Sequence, residues 1–276
     1  MSEEILEKSS DTNENQDDGT TGNKRPLSTS SQEFFEILDD VKQIALQQNG
    51  ATYTKSLSDE QYYNNAKKYW NSIDPNDDGM LGGFASISYC DVQGSSQFLQ
   101  QIFRTKPSPG RTYACDCGAG IGRVSKNLLI NFFDKVDLVE QDPRFCEQAR
   151  ENLSQTENLG EVFNKGLQEF EPETEKYDVV WCQWVLGHLK DDHLVYFFRR
   201  CVKSLKKNGM IVIKENVTST DKVEFDAKDF SVTRPLALLK KLTQEAGLRI
   251  IRETRQKNFP KGLFPVYILA LRPVVN

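Results

Sequence analysis

The chain has 276 residues, with 35 Lys and Arg against 40 Asp and Glu, for a net charge of −5. That length holds one large α/β domain and an extension, while the acidic balance argues against a general nucleic-acid binder, which needs a basic face to displace counterions. No run approaches the roughly 18 apolar residues of a membrane span, and no early apolar segment reads as a secretory signal, so a soluble, intracellular protein is expected.

Residues 1–30 carry seven acids against three bases and little apolar content. Such a segment cannot offset its ordering entropy, which predicts a disordered acidic tail. Ser30 and Glu33 offer a capping box to a helix in which Phe34, Ile37, Leu38, Val41, Ile44 and Leu46 recur at helical spacing until Gly50; helix and linker together span 31–56. A second capping box, Ser58 to Gln61, opens a helix bearing Tyr62, Ala66, Tyr69 and Trp70. Asp74, Asn76, Asp78 and Gly79 then mimic the start of a calcium loop, but Ala85 stands where a bidentate Glu is required and Pro75 sits inside. Calcium is rejected. Gly79, Gly82 and Gly83 instead suit a loop lying close over an active site, and 57–95 reads as a helical and loop lid on a domain of 57–276.

The next segment is the most informative. A short apolar strand ends at Asp116 and Cys117, followed by Gly118, Gly120, Gly122 and a helix starting near Arg123. Alternating glycines let the backbone turn sharply and approach a ligand more closely than a Cβ would allow. Eighteen residues after Gly122 a second strand ends in Glu140, where a parallel neighbour presents a carboxylate to ribose hydroxyls. The spacing is not the G-x-G-x-x-G of dinucleotide sites, and no P-loop lysine follows. It resembles the first motif of class I S-adenosylmethionine (SAM)-dependent methyltransferases.

Strands are predicted at 112–117, 135–140, 161–165, 177–182, 209–214, 248–254 and 265–272, with helices notably at 122–132, 143–153, 191–206 and 234–246, the third ending at a C′ glycine, Gly209. The fold class is therefore α/β: a Rossmann-like, seven-stranded, mostly parallel sheet with an antiparallel final hairpin and an N-terminal helical extension. Six cysteines lie mostly in apolar patterns, and Cys115 and Cys117 have no partner pair for a zinc site, which suits a reducing compartment.

Ligands of open α/β sheets bind beyond the carboxyl ends of the strands. There the backbone at Gly118 and Gly120 would embrace the amino-acid half of SAM. Arg123 either pairs with its carboxylate or merely opens an exposed helix. Glu140, Gln141 and Asp142 follow the second strand, with Glu140 as ribose ligand, and Leu167 and Gln168 follow the third, where they would meet adenine. The fourth strand runs into Gln183, Trp184, Gly187 and His188. A single histidine is more often structural, but this one stands beside an indole at the reactive edge, whereas His193 falls on a solvated helix. Beyond the fifth strand Asn216, Glu224, Asp226, Asp229 and Ser231 read either as a solvated acidic loop or as the rim of a site for a cationic substrate.

Tyr69 and Trp70, the 79–83 glycine loop, the 116–123 turn, the Gln183–His188 block and Ile213 to Asn216 together resemble the eukaryotic protein α-N-terminal methyltransferases, from about residue 60 to the end. The resemblance implies SAM as cofactor, and as substrates proteins with an exposed Xaa-Pro-Lys or Xaa-Pro-Arg N-terminus; Gly82 and Gly83 leave space for an amine that already bears methyls, so multiple methylation is expected. The resemblance also implies SAM contacts at Gly118, Arg123, Glu140, Leu167, Gln168 and Gln183. Tyr69, Trp70, Leu81, Gly82, Ile87, Trp184, Asn216, Asp226, Asp229 and Ser231 would line the peptide channel. His188 and Asp229 would handle the amine proton, and Asp226 and Asp229 would pair with the third-position cation. Glu140 replaces the family's usual aspartate, and Phe264 replaces a tyrosine. A monomer of nucleus and cytoplasm, without a direct nucleic-acid or membrane partner, is expected. The other readings are a SAM methyltransferase for a small amine or RNA, and a non-catalytic SAM-binding scaffold for basic protein tails.

Overall fold

The protein is described by a computed structural model over residue 54 and residues 56–274. The tail expected over 1–30 and most of the helix and linker expected over 31–56 lie outside the described residues. Helix α1 (Asp59–Trp70) opens with the predicted capping box: the Ser58 hydroxyl accepts from Gln61 N–H at 3.1 Å, and Gln61 Oε1 accepts from Ser58 N–H at 3.0 Å. The calcium-like segment is a helix start. Asn76 caps the short α2 (Asp77–Met80) by accepting from Gly79 N–H. Helix α3 (Ser88–Ile102) follows. It was not predicted, because its polar stretch and central Gly94 blur the apolar period, and it carries the lid segment past residue 95.

The sheet begins with β1 (Tyr113–Cys117), followed by α4 (Arg123–Asn127), β2 (Lys135–Glu140), α5 (Pro143–Asn152), β3 (Leu159–Asn164), β4 (Tyr177–Gln183), α6 (Asp191–Ser204) and β5 (Leu205–Thr218). A hairpin of β6 (Glu224–Asp226) and β7 (Ser231–Pro235), helix α7 (Leu236–Glu245), β8 (Leu248–Arg255) and β9 (Val266–Pro273) complete it. Strands β3, β2, β1, β4 and β5 pair in parallel in that order, and β9 then pairs antiparallel with both β5 and β8.

These seven are the expected strands, but the sheet has nine. Strand β5 runs on to Thr218, and there β7 pairs with it in parallel while β6 pairs with β7. Three residues of β6 are too short to show a period, so the sequence reads as loop. Gly209 is not a helix cap: α6 stops at Ser204, the left-handed residue is Asn208 (φ 69°), and the segment is a bulge between the Tyr177–Leu205 and Val179–Met210 pairs. The predicted 122–132 helix is α4 followed by a 3-10 turn at Leu129–Asn131.

Adjacent residues of each central strand point to opposite faces. Cys115, Val180 and Ile211 pack with Phe197, Leu194 and Leu242 of α6 and α7, while Ala114, Trp181 and Val212 pack with Phe98, Leu99 and Ala149 of α3 and α5. Both faces covered is the condition for a parallel sheet, and it leaves the carboxyl ends of β1, β2, β4 and β5 as the place where a cavity can open. Among the described residues no helix is long and apolar enough to cross a membrane.

Candidate active site

Two cavities meet at those strand ends. The inner one is lined by Gly118, Gly120, Arg123, Glu140, Gln141, Leu167, Gln168 and Gln183, and spans about 940 Å³ including the space open to solvent at its mouth. Gly118, Gly120 and Gly122 all have positive φ. A Cβ on Gly120 would stand 2.6 Å from Met80 Sδ, so the turn lies directly under the lid.

The Glu140 carboxylate is held from both sides: Oε2 accepts from Gly120 N–H and Oε1 from Asp142 N–H, each at 2.9 Å. Burial pushes its pKa up to about 6, against the backbone amides of Asp142, Gly120 and Gln141 that pull it down. Each oxygen keeps a lone pair for a further donor. Asp142 does not join the cavity wall. It caps α5, accepting from Arg144 N–H at 2.8 Å and pairing with the Arg144 guanidinium at 2.6 Å. Arg144 in turn donates to Trp70 O at 2.9 Å, tying the end of α1 to the strand edge.

Arg123 is buried, not the start of an exposed helix. Its Nη2 pairs with Asp91 at 2.9 Å and its Nη1 donates to Ser88 Oγ. Asp91 of α3 also pairs with Lys214 Nζ at 2.5 Å and accepts from Gln183 Nε2 at 2.9 Å. Burial lowers the Lys214 pKa, and Asp91 opposes that shift. One carboxylate thus pairs with two buried cations, of which Arg123 lines the inner cavity.

The outer cavity is lined by Tyr69, Trp70, Leu81, Gly82, Ile87, Trp184, Asn216, Asp226, Asp229 and Ser231 together, with His188, Trp70, Trp184 and Met80 shared between the two spaces. All the residues expected to meet a peptide therefore wall one space. Trp184 adopts φ 53°, a costly conformation for a bulky residue, which suits the functional strain often found at sites. Glu215 supports the turn by accepting from Val185 and Leu186 N–H at 2.9 and 2.8 Å. Burial pushes its pKa up to about 7 against those amides.

His188 Nε2 accepts from Trp70 Nε1–H at 3.1 Å. Burial lowers its pKa, against the nearby charges of Asp229 and Asp226. Burial raises that of Asp229, against His188. Asp229 Oδ1 accepts from Ser231 N–H at 2.9 Å. Two buried polar atoms at the shared wall, Trp184 Nε1 and His188 Nδ1, have no hydrogen-bond partner. Such atoms call for a ligand group. His193 is not fully solvated: Tyr63 stacks on it, with Tyr63 Oη 2.7 Å from its Nδ1.

Residues 58–272 match the family described as AdoMet-dependent proline di-methyltransferases. The chain is 50% identical over 220 residues to an α N-terminal protein methyltransferase 1 of Drosophila melanogaster, covering 78% of each chain. It is 45% identical over 216 residues to the human N-terminal Xaa-Pro-Lys N-methyltransferase 1, covering 78% of this chain and 96% of that one. A solved SAM-dependent methyltransferase from Leishmania major superposes with a TM-score of 0.74 at 31% identity, over 85% of this chain and 91% of that one. The chain belongs to the proline di-methyltransferase family.

As a family member it uses SAM, and its residues fit that molecule. Glu140 retains lone pairs for ribose hydroxyls. Leu167, Val139 and Phe145 give an apolar slot for a base, and the Arg123 guanidinium on the cavity wall suits a carboxylate. For this methyltransferase, sequence reasoning missed Asp91, Lys214 as its partner, Arg144 and Met80. A lysine ending the apolar run Met210–Ile213 is the one signal that pointed to a buried counter-charge. Asp91 gave none, since its helix was itself unrecognised.

Proposed function

We propose that this chain methylates the free α-amino group of proteins that begin Xaa-Pro-Lys or Xaa-Pro-Arg, adding more than one methyl. The observation that carries the reading is the outer cavity, which sets Asp226 and Asp229 against Trp70, Trp184 and Tyr69 and meets the inner cavity at His188. The names of its relatives support the substrate class.

An α-amino group has a pKa of about 7.7–8.0, so freeing its lone pair costs little near neutrality. When bound, SAM would supply an electrophilic methyl group on a sulfonium for that lone pair to take, with the neutral thioether as leaving group. Asp229, on the wall of the outer cavity, takes the amine proton, and His188 stands where the two cavities meet. The aromatic walls pack on proline and steady positive charge, and Asp226 pairs with the third-position cation. Gly82, which lines the outer cavity, has no neighbouring heavy atom within 4 Å of where a Cβ would stand, and the reading of multiple methylation takes that open space as room for an amine already bearing methyls. Acceleration comes mainly from alignment of the amine beside the inner cavity.

Mass spectrometry of a Ser-Pro-Lys-Arg peptide incubated with protein and SAM tests the reading. Successive methyl additions are expected on the free peptide and none on its N-acetylated form. Modification of the blocked peptide, of a small amine or of RNA instead would overturn it, as would peptide binding without transfer.

Glu140→Ala should weaken SAM binding roughly 10- to 100-fold, the worth of a hydrogen bond to a charged acceptor. In the unmodified protein SAM affinity should also fall below about pH 6, where Glu140 takes up a proton and one acceptor oxygen is lost. Calorimetry at several pH values measures both. We further infer a monomer in the nucleus and cytoplasm. The six free cysteines, five of them buried, suit a reducing compartment. Sedimentation and microscopy of the full chain check these points.

A further inference from the structure

The hydrogen bond between Trp70 and His188 decides which nitrogen of the histidine carries a proton. An indole Nε1–H can only donate. At 3.1 Å from it, His188 Nε2 must accept, so it carries no hydrogen. An imidazolium, or the neutral tautomer protonated on Nε2, would set two N–H donors against each other inside a buried contact. The neutral ring then carries its hydrogen on Nδ1, a buried atom left without a partner on a residue that lines both cavities.

The indole is itself held in place. Trp70 stands edge-on to His188 (ring centroids 5.6 Å, interplanar angle 77°) and to Phe145 (6.3 Å, 82°), and Arg144 anchors its carbonyl. Asp229 is placed differently. Its Oδ1 accepts from Ser231 N–H, the Ser231 side chain also hydrogen-bonds the carboxylate, and two such donors leave acceptor capacity on a carboxylate that lines the outer cavity.

We propose that Trp70 locks His188 as the neutral Nδ1–H tautomer, making His188 a hydrogen-bond donor that positions a backbone carbonyl of the substrate and leaving Asp229 as the group that takes the amine proton. This rests on the proposed function for its substrate, but not for the tautomer. The proton passes from the α-ammonium nitrogen to the Asp229 carboxylate, and the N–H bonding pair stays on nitrogen as the lone pair. His188 takes no proton, because its Nε2 lone pair is already engaged by Trp70. Trp70 is accordingly a positioning residue acting through His188.

Nitrogen NMR of full-length protein labelled with 15N-histidine tests the lock without any substrate. The chain has two histidines, so the His193→Gln variant leaves only the His188 signals. Nε2 should resonate as an unprotonated nitrogen and Nδ1 as a protonated one throughout about pH 6–8, the window in which a free imidazole titrates. In Trp70→Phe that pattern should be lost to tautomer exchange. A protonated Nε2, or a titrating ring in the unmodified protein, would overturn the proposal.

Kinetics give a second arm. The amide nitrogen of His188→Asn can stand near the Nδ1 position and donate, but it cannot serve as a base. Its kcat should stay within about tenfold of the parent, the scale of one modest interaction, while His188→Ala loses more and raises the peptide KM. An asparagine variant as inactive as the alanine variant would overturn the donor role. If the unmodified protein methylates no Xaa-Pro-Lys peptide, the proposed function fails, while the NMR result still judges the tautomer.

Discussion

Asp91→Asn is expected to lower stability by about 3–5 kcal/mol, the usual cost of removing one partner from a buried ion pair. The asparagine keeps the size and shape of the side chain, so the loss is electrostatic. Lys214 and Arg123 would lose the carboxylate they share, leaving Arg123 the more distant charge of Asp116, and Lys214, whose pKa burial already lowers, would shed its proton more easily. Domains of this kind are stable by only about 5–15 kcal/mol, so this single substitution removes a large share. At 2–4 °C per kcal/mol for a domain of this size, the melting temperature should fall by roughly 6–20 °C. SAM binding should weaken too, because Gln183 and Arg123 line the inner cavity and both take their orientation from Asp91. Lys214→Met is the instructive comparison. It removes one cation, yet Asp91 stays paired with Arg123 and Gln183, so the loss should be clearly smaller. Thermal melts followed by circular dichroism measure the pair, and equal losses would show that packing, not charge, governs this cluster.

That cluster also marks the limit of what the sequence discloses. Strands β1, β2 and β4 were legible because local signals agree there: continuous apolar runs, glycines at the turn and an acid at the next strand end. The inner cavity follows from the same logic, since ligands of such sheets gather at the carboxyl ends. Asp91 was not legible. Its importance lies in meeting Lys214, 123 residues away, and Arg123, 32 residues away, and a pattern read along one chain contains no such pairing. Asp142 shows the opposite error. Adjacency to Glu140 suggested a ligand, while its position just before Pro143 is that of an N-cap, and the structure follows the cap.

The acidic segment falls between these cases. Sequence alone left a choice between a solvated loop and a substrate rim. The outcome depends on β5 continuing three residues past Glu215, so that Val217 and Thr218 pair with Arg234 and Pro235 of β7. That pairing turns 224–235 back over the strand edge and brings Asp226 and Asp229 to the same cavity as Trp70, whose helix comes from the other side. Arg234 secures the fold of this edge by donating to Leu186 O and Leu189 O and pairing with Asp191 at 2.8 Å. The site is thus assembled from three chain segments, each held by its own polar anchor: the exposed Arg144 for the lid, and the buried Asp91 for the cofactor side and Arg234 for the hairpin.

Asp229→Asn is expected to reduce kcat/KM for a Ser-Pro-Lys-Arg peptide by about 10²-fold, toward the lower end of what a positioned general base contributes. SAM affinity should be unchanged, since Asp229 walls only the outer cavity. Asparagine can still accept from Ser231 N–H, so the local backbone is kept. Burial raises the Asp229 pKa above the ordinary carboxylate range, which brings it closer to that of an α-ammonium and makes the proton transfer less uphill. The same shift predicts the effect on stability. A carboxyl whose folded pKa exceeds its unfolded value contributes fully below the unfolded value and loses that contribution as pH rises through the folded one. At pH 8 the ionised buried carboxylate is therefore a cost that the amide avoids. The variant should melt at or above the parent temperature there, and its advantage should vanish on acidification towards about pH 4. Activity supplies the sharper check. Above about pH 8 the substrate amine is already deprotonated, so the variant's defect should shrink as pH rises, whereas a defect of constant size across the profile would rule out a proton-accepting role for Asp229.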